Sequence, residues 1–88
     1  MGKPTAQELE AALNEAARLR ESGRDEHFLG KALLNHNYRL DLLEQVLTRA
    51  KIYLRSGEGS REHTMLVKAI EKAEAAAREP GQARTRPE

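Results

Sequence analysis

Cysteine and tryptophan are both absent from these 88 residues. Without cysteine there is no disulfide framework and no thiolate metal site. Aromatic side chains are almost missing: Phe28, Tyr38 and Tyr53 make up 3% of the chain. No apolar run approaches the roughly 20 residues that cross a bilayer. The opening MGKPTAQELE has no apolar signal core, and Ala6 stands where a myristoylation signal carries Ser or Thr. These absences lead to the expectation of a soluble cytoplasmic protein. No region has a surplus of one charge either. The net charge is +1, and both signs are mixed along the whole chain, so the basic stripe of a phosphate-binding protein is not concentrated anywhere in sequence.

What remains favours helix. Leucine and alanine supply most of the apolar content, 33% of residues are charged, and β-branched residues are few. Straight-chain residues and alanine lose little freedom in a helix. One all-α domain is therefore expected over 1–79. A chain this short buries only about 60–65% of its unfolded surface, so its core is small.

Three helices can be placed by their ends. Thr5-x-x-Glu8 is a capping box, Leu9, Leu13, Ala16 and Leu19 form a stripe with Ala6 and Ala12, and Gly23 supplies a left-handed C-terminal stop. The first helix is expected over 5–22. Asp25 is the expected N-cap of a second helix over 26–56. Its seam runs Leu29, Leu33, His36, Leu40, Leu43, Leu47, Ala50 and Leu54, alternating steps of four and three without a phase slip. A third helix over 60–79 starts at Ser60, carries the stripe His63, Leu66, Ile70, Ala73 and Ala77, and ends at Pro80-Gly81. Residues 80–88 are expected to be disordered. The resulting fold class is a three-helix antiparallel bundle with a long central helix, completed by dimerisation. The alternative is four helices in two αα-hairpins, with a break near Asn35-Asn37. Leu19–Leu33 and Tyr53–Ile70 faintly echo each other (Ser-Gly, Glu-His, Leu-x-Lys-Ala), which shared capping chemistry explains more simply than duplication.

The central helix is apolar over more than its seam. Phe28, Ala32, Leu42, Val46 and Tyr53 form a second stripe, widened by Leu34, Tyr38 and Ile52. Such a helix needs neighbours on most sides, and two thin alanine-rich helices supply them less well than a second copy would. A homodimer with antiparallel long helices follows, with Phe28, Tyr38, Leu42, Val46 and Tyr53 as candidate interface residues. His36, on the seam, is a candidate buried polar register position. A charge at Leu47 is expected to unfold the protein or split the dimer.

Chemistry is sparse. His27 and His36 are nine residues apart on opposite sides of the helix, so they cannot share a metal. No nucleophile–base pair, phosphate loop or cofactor motif occurs. The expected function is a small protein–protein interaction module or regulator without catalysis and without a cofactor. The rival is a small nucleic-acid-associated regulator. It would use the turn between the second and third helices, Arg61, Lys68 and Lys72 on the third helix, and Arg84 and Arg86 in the tail.

Overall fold

A computed structural model describes residues 2–78. Its elements are α1 (Ala6–Ser22), α2 (Leu29–Arg55) and α3 (Ser60–Arg78), with no strand among the described residues. Contacts divide the chain into two units, one up to Tyr38 and one from Arg39. Each is an αα-hairpin: α1 packs against the first turns of α2, and the remainder of α2 packs against α3. The long central helix is continuous as expected, and the alternative of a break near Asn35-Asn37 is not realised in the backbone: α2 is one uninterrupted helix of 27 residues. That stretch is instead the place where the contacts of α2 pass from α1 to α3. The expected disordered segment 80–88 lies outside the described residues.

In the first unit, Thr5 and Glu8 close the expected capping box, with Glu8 N–H on Thr5 Oγ1 at 3.0 Å and Thr5 N–H on Glu8 Oε1 at 2.9 Å. Leu9, Leu13, Ala16 and Leu19 form the covered side of α1, as their spacing predicts, while Ala6 and Ala12 stay exposed. Gly23 ends α1 at φ 72°, and Arg24 donates back to the Leu19 carbonyl at 3.1 Å. That left-handed conformation costs glycine little.

The start of α2 departs from expectation. Asp25 is not its N-cap; a turn over 26–28 intervenes, and α2 begins at Leu29. Phe28 occupies the capping position, since its carbonyl accepts the first helical bond, from Ala32 at 2.9 Å. Its phenyl ring cannot satisfy the free N–H groups that follow. Asp25 does so from three residues upstream. Oδ1 accepts from Gly30 N–H and Oδ2 from Lys31 N–H, both at 2.9 Å, and Arg20 adds a third bond to Oδ2 at 3.1 Å. Only 8% of Asp25 is exposed. No acid lies in the first turn of α2, so this carboxylate also supplies the negative charge that the helix dipole favours.

The Gly30 N–H, with help from Lys31 and Arg20 and against the opposing effect of burial, holds the Asp25 carboxyl below the usual carboxylate range. A lowered folded-state pKa means that Asp25 contributes stability above its unfolded value of about 3.9, and that this contribution is lost as pH falls through the folded value. Asp25→Asn should therefore lower the melting temperature by roughly 5 °C at pH 7. At pH 3 the two proteins should melt closer together. A gap of constant size across that range would remove the role given to the charge.

In the second unit, α2 ends as α1 does. Ser22 and Ser56 each donate Oγ–H to the carbonyl three residues back, at 3.3 and 3.0 Å. Gly57 repeats the left-handed stop of Gly23, and Glu58 donates to Tyr53 O at 3.0 Å as Arg24 does to Leu19. Beyond the glycines the two hairpins diverge. Leu29 is the first residue of α2, whereas Leu66, its counterpart in the echo, lies in the second turn of α3. What the two segments share in the structure is the chemistry that ends the preceding helix. Ser60 is not a cap either: the Gly59 carbonyl accepts the first bond of α3, from His63 at 2.9 Å.

The core is small. Ala16, Leu42 and Ala76 are the buried apolar residues among those described. On α3 the covered side is Met65, Leu66, Ala69, Ala73 and Ala76, while His63, Ile70 and Ala77 of the expected stripe are exposed.

Candidate functional site

In the second unit the two apolar stripes of α2 have exchanged the roles that their spacing suggests, while in the first Phe28 and Ala32 of the second stripe are exposed and Leu33 of the seam is half-buried. Leu42, at 3% exposure, is the one large side chain among the buried apolar residues, and Val46 and Tyr53 are half-buried beside it. The heptad seam faces outward instead: Leu40, Leu43, Leu47 and Leu54 are between 51 and 67% exposed. At 100° per residue, the line through Leu42, Val46 and Tyr53 and the line through the four leucines are roughly 110° apart. The physical cause is close approach. Small residues let helix backbones come together, and each neighbour of α2 carries some on its covered side: Ala16 between Leu13 and Leu19 on α1, and Ala69, Ala73 and Ala76 beyond Met65 and Leu66 on α3. In the first unit, Gly30 is buried where a Cβ would lie 2.8 Å from the Ala16 carbonyl oxygen. In the second, the covered side of α3 is largely alanine. In that unit the Leu42 line is covered and the row of four leucines is left open.

The exposed stripe has two unlike borders. On one side Val46 and Tyr53 are half-buried, with the Tyr53 ring packed at 5.7 Å, tilted, on the His63 ring. On the other, Glu44 and Lys51 are exposed, seven residues apart and opposite in sign. Beyond Glu44 runs an open groove of about 380 Å³, bordered by Asp41, Thr48, Arg49 and Ile52 of α2 and by Ala69 of α3.

The residues singled out in sequence are thus dispersed. Leu42 is internal and cannot meet a partner while the hairpin is folded. Val46 and Tyr53 are partly covered. Tyr38 is exposed in the first unit, as is Phe28, whose φ of 59° is unusual for a bulky residue and whose ring lies 5.9 Å from Lys31 Nζ. His36 is exposed rather than buried: it lies between half-buried Leu33 and the open row of leucines that begins at Leu40. Arg61, Lys68 and Lys72 are exposed and, spaced at i, i+7 and i+11, line up along one side of α3. Arg84 and Arg86 lie outside the described residues. Among the described residues no three His, Asp or Glu side chains converge in a way that would hold a metal, and no helix is long and apolar enough to cross a membrane.

The fold defines a class, a pair of αα-hairpins sharing one long helix, with an uncovered leucine stripe as its most distinctive surface. No family model matches the chain, and neither does any curated protein or solved structure.

Proposed function

We propose that this chain is a non-catalytic, cytoplasmic protein–protein interaction module whose working surface is the leucine stripe Leu40, Leu43, Leu47 and Leu54, and that it self-associates through it. One observation carries the reading: these four large apolar side chains are exposed along a single helix face, while among the described residues only one large apolar side chain is buried. A contiguous exposed apolar surface of this kind characterises interfaces. The shortage of internal core makes association the natural way for so short a chain to complete one.

The test is the native mass of the chain by light scattering across a dilution series, beside Leu47→Asp. The wild type should be dimeric into the low micromolar range. Leu47→Asp should be monomeric at every concentration and keep its far-ultraviolet helix signal, since Leu47 is 55% exposed in the single chain. Equal masses for the two proteins would overturn the reading.

The row Arg61, Lys68 and Lys72 supports a second reading, contact with nucleic-acid phosphates. Against it, Glu62, Glu71 and Glu74 share α3. A salt-sensitive mobility shift of DNA or RNA that disappears when the three cations are replaced by Ala would favour this alternative.

A further inference from the structure

We propose that the stripe pairs with the same stripe of a second copy in one particular antiparallel register, selected by Glu44 and Lys51. This rests on the self-association reading above and adds its geometry. In the heptad phase of the exposed leucines, Leu40, Leu47 and Leu54 hold one core position, and Leu43 and Ala50 hold the other. In an antiparallel pair of helices these two kinds of position pack side by side in layers, and the charged residues flanking the seam decide partner orientation and register. Setting Leu47 beside Ala50 of the second copy also sets Leu43 beside Leu54 of the second copy, and the two-fold axis repeats both layers. In that register Glu44 lies opposite Lys51 of the second copy, and Lys51 opposite Glu44 of the second copy.

The neighbouring registers fail on charge. Sliding the second copy by one heptad in one direction sets Glu44 against Glu44 of the second copy. Sliding it the other way sets Lys51 against Lys51 of the second copy. Like charges facing each other across a helix pair are unfavourable, so this one pair of residues marks a register at no expense to the leucines. The asymmetry of the borders points the same way. Val46 and Tyr53 are partly covered within the chain, whereas Glu44 and Lys51 are exposed beside the leucines. A parallel pair would set Glu44 near Arg39 of the second copy and Lys51 near Val46 of the second copy, which leaves Lys51 without a role.

Three variants of the full chain separate these geometries: Glu44→Lys, Lys51→Glu and the double exchange. Circular dichroism confirms that each is folded, and the dimer dissociation constant is measured by sedimentation equilibrium at low salt. Each single exchange turns two attractive pairs into two repulsive ones and should weaken the dimer about tenfold. The double exchange should restore it to within about threefold of wild type. The weakening should shrink in molar salt, where the screening length falls to about 3 Å. If Glu44→Lys weakens the dimer while Lys51→Glu does not, or if the double exchange fails to restore it, the register is wrong. In that case a monomeric Leu47→Asp would still uphold self-association through the stripe. A wild type that stays monomeric at the highest concentration reached would overturn the register and self-association together.

Discussion

Leu42→Asp will abolish cooperative unfolding, whereas Leu47→Asp, five residues further along the same helix, will leave the fold of the single chain intact. Leu42 is 3% exposed. A carboxylate there would be buried without a partner or would force α2 and α3 apart. The milder Leu42→Ala deletes the largest apolar contribution to a core whose other buried members are Ala16 and Ala76. Burial this complete places the cost of that truncation at about 3 kcal/mol. Small domains hold only about 5–10 kcal/mol in total, so the truncated chain should melt far earlier and the aspartate variant should show no transition. Thermal melts followed by circular dichroism at a dilution where the chain is monomeric give the comparison. If Leu47→Asp destabilised the monomer as much as Leu42→Asp, the assignment of the two stripes would be inverted.

That inversion also marks the limit of what the residues disclose by themselves. Helix ends are local chemistry and could be read directly: the Thr5–Glu8 box and the Gly23 stop form as written. The continuity of α2 followed from the unbroken phase of its seam, with Asn35, His36 and Asn37 accommodated inside the helix. The orientation of α2 could not be read in this way. Its apolar arc is broad, and periodicity reports where that arc lies, not which edge of it the neighbours cover. The edge that is covered depends on where the neighbours approach most closely: Ala16 of α1 lies against Gly30 of α2, and Ala69, Ala73 and Ala76 are on the covered side of α3. Beside α3, whose covered side is largely alanine, the four leucines of the seam stay exposed. The start of α2 is hidden from residue type for a different reason. Asp25 does cap that helix, as its residue type suggests, but through a turn of three residues rather than from the adjacent position. That longer reach lets one carboxylate bond Gly30, Lys31 and Arg20 together.

Gly30 carries the second large effect, and here the sign of the change is what matters. Glycine inside a helix is ordinarily a defect, and replacing it with alanine gains about 1 kcal/mol of intrinsic preference. Ala32, two residues on and exposed, should follow that rule: Ala32→Gly should cost about 1 kcal/mol. Gly30→Ala should break it. Its new Cβ would sit 2.8 Å from the Ala16 carbonyl oxygen, 3.3 Å from Ala16 Cα and 3.1 Å from Asp25 Oδ2. Two of those three atoms are backbone of α1 and cannot turn away as a flexible side chain does. The helices must separate by a few tenths of an ångström, and the bond from Gly30 N–H to Asp25 lengthens with them. Overpacking of this kind costs about 1–3 kcal/mol, which outweighs the gain in helix preference. Gly30→Leu should go further and detach α1 from α2 while leaving α3 packed on the rest of the long helix. Chemical denaturation of the glycine-to-alanine variant measures the sign, and amide hydrogen exchange on the leucine variant locates the loss. Exchange should speed up through 6–31 and remain slow around Leu42 and Ala76. A Gly30→Ala protein more stable than wild type would mean that α1 does not cross α2 at Ala16, and the first hairpin would have to be packed differently.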